Sequence, residues 1–290
     1  MRTEQDMYDL FIEIAEKDER IRAVYLHGSR ANPSAVKDKY SDYDIVFVVT
    51  EVATFIDDKS WLDNFGEAAF IFEAYRNQNN FFANEINDLS RRHVWSMILV
   101  DGCRLDVVIE VVEEAMNHIH IKNKPTIILH DKDNCLVETP ISQNKGTLIE
   151  RPSAEKFTAC CSGFWWFLND VAKAIARDQL PYAKELFSTF NRLTLNHMID
   201  WYIGTQNDFS VSPGNGVQCY KNYLPGELYD LYLKTYSDGE KENFWLAIFY
   251  ACELFNKTAQ YVGECFGYAY NKQEEESMME YLLKVRDGEI

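Results

Sequence analysis

No stretch of this chain approaches the roughly 18 consecutive apolar residues that a membrane helix needs, so no membrane span is expected. The opening MRTEQDMYDLF carries charges where a secretory signal peptide requires an apolar segment, which points to a cytoplasmic protein. Seven cysteines, an odd number without C-x-x-C or His-rich spacing, argue against a disulfide framework and against a zinc site; they read as buried thiols. Basic side chains are scarce as well. Lys and Arg number 29 against 46 Asp and Glu, giving a net charge of −17 and a pI near 4.8. Such a field repels nucleic-acid phosphates, so no nucleic-acid partner is expected, and it favours a polycationic small molecule.

What the chain does have is enough apolar material for two modest domains: 290 residues, 47% hydrophobic and 14% aromatic. Its informative stretch runs from Val24 to Thr50. An apolar strand, Ala23 to Leu26, breaks at Gly28-Ser29, where a residue without a Cβ lets the backbone turn sharply and approach a ligand. A polar loop of about a dozen residues leads to Asp42-Tyr43-Asp44 and the β-branched run Ile45 to Val49. Strand alternation puts Asp42 and Asp44 on one face. Two neighbouring carboxylates repel each other and call for a cation, and an oxygen-only donor set suits Mg²⁺. Beside them, the donor-rich Gly28-Ser29 turn suits the tail of a nucleoside triphosphate.

Further along, HVWSMILVDGCRLDVVIEVV reads as two strands joined at Asp101-Gly102, a dipeptide that favours a tight hairpin. In the second strand Leu105, Val107 and Ile109 point one way, while Asp106, Val108 and Glu110 point the other. A lone acid in an apolar strand is costly unless a charge or metal lies beside it, so Asp106 is either paired in this way or an edge-strand acid. Glu110 reads as a solvated residue at the strand end. His130-Asp131-Lys132-Asp133 reads as a polar turn closing a last strand rather than a metal site.

Helical spacing places an amphipathic helix at residues 3–17. After a polar, Asn-rich crossing between Glu73 and Arg92, and a short helix from Glu113 to Ile119, the chain reaches a linker with Pro140, Asn144, Gly146 and Pro152. From Ser153 the pattern is helical throughout: Phe157 to Arg177, Ala183 to Tyr202, Glu227 to Tyr236, Glu240 to Phe266 and Glu274 to Arg286. The aromatics Trp165, Trp166, Tyr202, Trp245 and Tyr250 of this half read as core. The fold class is therefore α/β (α+β), with a mixed-sheet domain over 1–140, a linker over 141–152 and an all-helical domain over 153–290.

The pattern Gly-Ser, loop, Asp-x-Asp, later Asp resembles the nucleotidyltransferase superfamily related to DNA polymerase β. Residues 20–50, the opening MRTEQDM, Phe164-Trp165-Trp166, Leu180-Pro181-Tyr182-Ala183-Lys184 and Trp201-Tyr202-Ile203-Gly204 resemble the streptomycin (aminoglycoside 6-) adenylyltransferases in the same order. That resemblance implies transfer of AMP from ATP to the 6-hydroxyl of streptomycin in a cleft between the domains. Asp42, Asp44 and Asp106 would hold Mg²⁺, and Gly28, Ser29, Arg30 and Lys184 would meet the nucleotide. Asp106, Glu185 or Asp200 would serve as base. Asp170, Asp178, Glu185 and Asp200 would face the polycationic acceptor. Two alternatives stand beside this reading: a nucleotidyltransferase acting on another antibiotic or on a protein, and an inactive member of the fold that binds nucleotide. The intact carboxylate triad speaks against the second.

Overall fold

Thr3 starts the first helix with a reciprocal cap. Its hydroxyl accepts from the Asp6 N–H at 3.1 Å, and the Asp6 carboxylate accepts from the Thr3 N–H at 2.8 Å. Donors that a helix start leaves without partners are thereby satisfied. From this cap α1 (Glu4–Lys17) buries Met7, Phe11, Ile14 and Ala15 on one side. The computed structural model describes residues 2–33, 35, 37–73, 88, 90–121, 125–136, 148–214 and 216–290. The chain divides into two compact units, Met1–Lys145 and Gly146–Ile290. Within the expected linker, residues 141–147 lie outside the described residues, as do 74–87 of the Asn-rich crossing.

In the first unit the elements after α1 are β1 (Ile21–His27), a one-turn α2 (Gly28–Ala31), β2 (Tyr43–Val49) and α3 (Ala53–Asp57). A 3₁₀ segment (Lys59–Phe65), β3 (Ala68–Glu73), β4 (Arg92–Leu99), β5 (Arg104–Val111), α4 (Val112–Ile121) and β6 (Ile127–Asp131) complete it. The described strands form one mixed sheet in the order β3-β4-β5-β2-β1-β6. At its centre β2 and β5 run parallel, and the other neighbours are antiparallel. The β4–β5 hairpin turns at Asp101-Gly102, with Gly102 in the left-handed region at φ 84°.

Alternation sorts the two faces of the sheet. Tyr43, Ile45, Phe47 and Val49 of β2 join Leu105, Val107 and Ile109 of β5 in a core under α1 and the 3₁₀ segment. On the other face Val46, Val48 and Val108 pack with Ala115 and Ile119 of α4. Asp44 and Asp106 share this second face by register, at the end of the strands away from Val48 and Glu110.

Glu110 corrects the expectation of a solvated strand end, since it is fully buried. Its carboxylate accepts from Tyr25 Oη at 2.5 Å and Arg92 Nη1 at 2.8 Å, and lies 2.8 Å from His118 Nδ1. Burial alone would raise its pKa. The bond to His118, the charge of Arg92 and the Tyr25 hydroxyl outweigh burial and hold it below the usual glutamate range. The polar turn after β6 is structural as expected, with the Asp131 carboxylate accepting from the N–H groups of Asp133, Cys135 and Leu136. The cysteines are only partly the buried thiols expected: Cys160, Cys161 and Cys252 are buried, whereas Cys265 is exposed.

In the second unit the described elements are helices: α5 (Ala154–Ala176), α6 (Leu180–Leu186), α7 (Arg192–Gln206), α8 (Tyr220–Tyr223), α9 (Gly226–Lys234), α10 (Lys241–Phe266) and α11 (Lys272–Asp287). The single helix expected from Ala183 to Tyr202 begins earlier and is interrupted by a π segment, Phe187–Asn191. There the buried Asn191 donates its side-chain amide to the Phe164 carbonyl of α5 at 2.7 Å, a tertiary bond invisible to periodicity. Phe164 stacks on Phe255 at 3.9 Å, and Trp165 and Trp245 are buried. Trp166 departs from the expected core role, being 65% exposed. Among the described residues no helix is long and apolar enough to cross a membrane.

Candidate active site

The β1 strand ends at His27, which pairs with Asp44 across the antiparallel ladder. On its other side Asp44 pairs with Asp106 of β5. Asp44 thus sits in the middle of three strands with the chain turning directly over it. Gly28 makes that turn at φ 74°, a backbone conformation that costs an L-residue with a side chain about 1–2 kcal/mol. A Cβ on residue 28 would fall 1.9 Å from Asp44 Oδ2, so only glycine leaves room for the carboxylate. Ser29 follows in the first turn of α2, half-buried beside it.

Asp42 lies just before β2, and its Oδ2 is 3.1 Å from Arg104 Nη1. The second arm of the same guanidinium, Nη2, lies 3.0 Å from Asp106 Oδ2. Arg104 therefore bridges two of the three expected carboxylates. Burial pushes the Asp42 carboxyl above its ordinary value; Arg104 opposes the rise and the negative charge of Asp106 adds to it. Arg104 was not among the residues singled out from the sequence. Strand alternation, which places positions 104 and 106 on one face, was the signal that could have found it.

Among the described residues no three His, Cys, Asp or Glu side chains are arranged to hold a metal ion. The donor set nevertheless fits a hard cation. Asp106 Oδ1 is buried without a hydrogen-bond partner, the donors are all oxygens, and a positive group already lies between the two carboxylates.

Arg30 is a residue expected at the phosphates. Its guanidinium is turned to the α1 side, 3.7 Å above the ring of Tyr43, and only 8% of the residue is exposed. There Nε donates to the Asp42 carbonyl at 3.0 Å and Nη2 to the Ser41 carbonyl at 2.7 Å. Arg30 thus pins the backbone that presents Asp42, from the face opposite its carboxylate.

The residues expected from the helical unit lie on α5, α6 and α7 or directly after α5. Lys184 Nζ donates to Ser237 Oγ at 2.6 Å and lies 4.6 Å from the centre of the Phe244 ring. Burial lowers its pKa, with Asp238 opposing. Asp170 pairs with Lys173 at 2.7 Å on α5. Asp178 is exposed just after α5, with φ 59°, and Glu185 is exposed on α6. Asp200 is half-buried on α7 and accepts from the Tyr220 hydroxyl at 2.8 Å. Burial, opposed by that hydrogen bond, raises its pKa to about 6.

Comparison with known proteins gives this geometry a family. Two curated proteins named aminoglycoside 6-adenylyltransferase, from Bacillus subtilis (strain 168) and Campylobacter jejuni, are each 30% identical to this chain over 275 residues. The alignments cover 95% of this chain in both cases, and 95% and 93% of the respective relatives. A crystal structure of an aminoglycoside 6-adenyltransferase from Bacillus subtilis is 27% identical and aligns over 99% of both chains, with a TM-score of 0.47. The sequence profile of the streptomycin adenylyltransferases matches residues 1–285, nearly the whole chain, and the chain belongs to that family.

Proposed function

We propose that this protein transfers AMP from ATP to the 6-hydroxyl of streptomycin, in a reaction that depends on Mg²⁺. The observation that carries the reading is the registered pair Asp44 and Asp106 on parallel strands, with Asp42 joined to Asp106 through one guanidinium. Curated relatives named for aminoglycoside 6-adenylyl transfer support the reaction class. A net charge of −17 suits a polycationic acceptor.

Asp42, Asp44 and Asp106 would hold Mg²⁺, which when bound neutralises charge on the triphosphate. Gly28 and Ser29 bring backbone and hydroxyl donors to the phosphates. The acceptor hydroxyl oxygen attacks the α-phosphorus, the bond from that phosphorus to the bridging oxygen of the β-phosphate breaks, and pyrophosphate leaves. The hydroxyl proton passes to a carboxylate, for which Asp106, Glu185 and Asp200 are candidates. Arg30 acts at a distance by holding the Ser41 and Asp42 carbonyls.

Pyrophosphate release from ATP, measured with streptomycin and with a panel of other antibiotics, tests the reading. Release with streptomycin that falls at least a hundredfold in Asp42→Asn and Asp44→Asn, without loss of thermal midpoint, is the expected result. Activity within tenfold of wild type in either variant, or release only with a different acceptor, would overturn it.

A further inference from the structure

Two arginines on neighbouring strands of the same sheet hold carboxylates in very different ways. Arg92, 25% exposed, serves Glu110, a fully buried acid that Tyr25 and His118 also bond. Arg104 serves Asp42 and Asp106 from a side chain that is 50% exposed. Its carboxylates are 32% and 22% exposed, so all three groups stand in contact with water. An ion pair of this kind is weak and exchanges readily. Its two contacts both use Oδ2 atoms, 3.1 Å and 3.0 Å away, and leave Asp106 Oδ1 buried with no partner. A guanidinium donates N–H bonds in a plane, so its fork takes one oxygen from each carboxylate and cannot reach the rest of the donor set.

From this contrast we infer that Arg104 is a displaceable counter-ion. It neutralises Asp42 and Asp106 while no divalent cation is bound, and it withdraws into water when one arrives. The inference rests on the reading of these carboxylates as a divalent-cation site. Two consequences of opposite sign follow. Without metal, loss of the guanidinium leaves two carboxylates repelling each other and lowers stability. With metal, the same loss removes a competitor and tightens binding. A purely structural arginine predicts only the first effect, because removing it would loosen the carboxylates and weaken metal binding.

The test is a titration of Mn²⁺, without nucleotide, into wild type, Arg104→Gln, Arg104→Lys and Asp106→Asn, with free Mn²⁺ read by electron paramagnetic resonance. Thermal midpoints are measured in parallel, in chelator and in saturating Mn²⁺. The expected result for Arg104→Gln is a Kd about three- to tenfold tighter than wild type, in keeping with the weakness of an exposed ion pair. Its midpoint should be lower in chelator and should rise further on adding metal. Arg104→Lys, which keeps the charge but not the fork, should fall between the two. An unchanged or weaker Kd in Arg104→Gln, together with lost binding in Asp106→Asn, would overturn the inference and leave the cation site standing. Equal Mn²⁺ binding by wild type and Asp106→Asn would overturn the cation site itself and the inference with it.

Discussion

Gly28, in the turn after β1, and Asp44 of β2 are fitted to each other: the point where a Cβ would stand on residue 28 is 1.9 Å from Asp44 Oδ2. Gly28→Ala therefore has two defects, a strained φ of 74° and a clash that pushes the carboxylate aside. The variant should lose about 1–3 kcal/mol of stability. Turnover should fall about a hundredfold, as expected when a catalytic group is misplaced by around an ångström. Denaturant unfolding and pyrophosphate release check the two parts separately, and activity within threefold of wild type would remove Asp44 from the site.

Arg30 offers a test that separates positioning from phosphate binding. In Arg30→Lys the ammonium keeps the charge but cannot serve the Ser41 and Asp42 carbonyls with the same planar fork. Losing one charge-assisted bond in a buried setting costs about 1.5–3 kcal/mol. Because the bonds hold the backbone of Asp42, the thermal midpoint and kcat should fall together while the KM for ATP barely moves. A raised KM for ATP at an unchanged midpoint would return Arg30 to the phosphates.

Glu110→Gln tests the network behind the site. Replacing a buried carboxylate that serves Arg92, His118 and Tyr25 should cost about 3–5 kcal/mol at neutral pH. The wild-type carboxyl is held below its ordinary value, so its contribution is complete above about pH 4.5 and is lost as pH falls through the lowered value. The stability gap between variant and wild type should accordingly be widest near neutrality and close in acid. A gap that widened on acidification would contradict the assigned direction.

The strand–turn–strand centre of the first unit was legible because its information is local. Gly28-Ser29 breaks an apolar run, β-branched residues follow Asp44, and a period of two assigns Asp106 to the same face as Asp44. Glu110 departs from its expected setting, and the contacts of Arg30 are not foreseen, for a shared reason: the environment of each is made by residues distant in the chain. Glu110 looks like a solvated strand end until Arg92 of β4 and His118 of α4 are set against it. For Arg30, the sequence does not reveal that the ring of Tyr43 lies under its guanidinium. Likewise the apolar spacing through residues 183–202 is continuous, and only the buried amide of Asn191 marks the π segment.

Asp200 and Glu185 differ in a way that makes one of them testable by pH. Glu185 is exposed on α6, whereas the Asp200 carboxyl is half-buried against Tyr220, with a pKa raised to about 6. A carboxyl that favours its protonated form when folded makes the folded state bind more protons than the unfolded chain, where the value is about 3.9. Stability should then fall as pH rises from about 4 to 6 and level off above that range. Asp200→Asn removes the cost of burying the charge, so at pH 8 it should be more stable than wild type by about 1–2 kcal/mol after allowance for partial solvation. At pH 4 the two should coincide. The same variant decides the chemical question. A base with a pKa near 6 would impose an acid limb on kcat/KM near that pH, and the asparagine would abolish the limb along with most of the rate. If Asp200 only packs α7 against Tyr220, urea unfolding from pH 4 to 8 will show the stability change while kcat/KM keeps its shape, and the proton must go to Asp106 or Glu185.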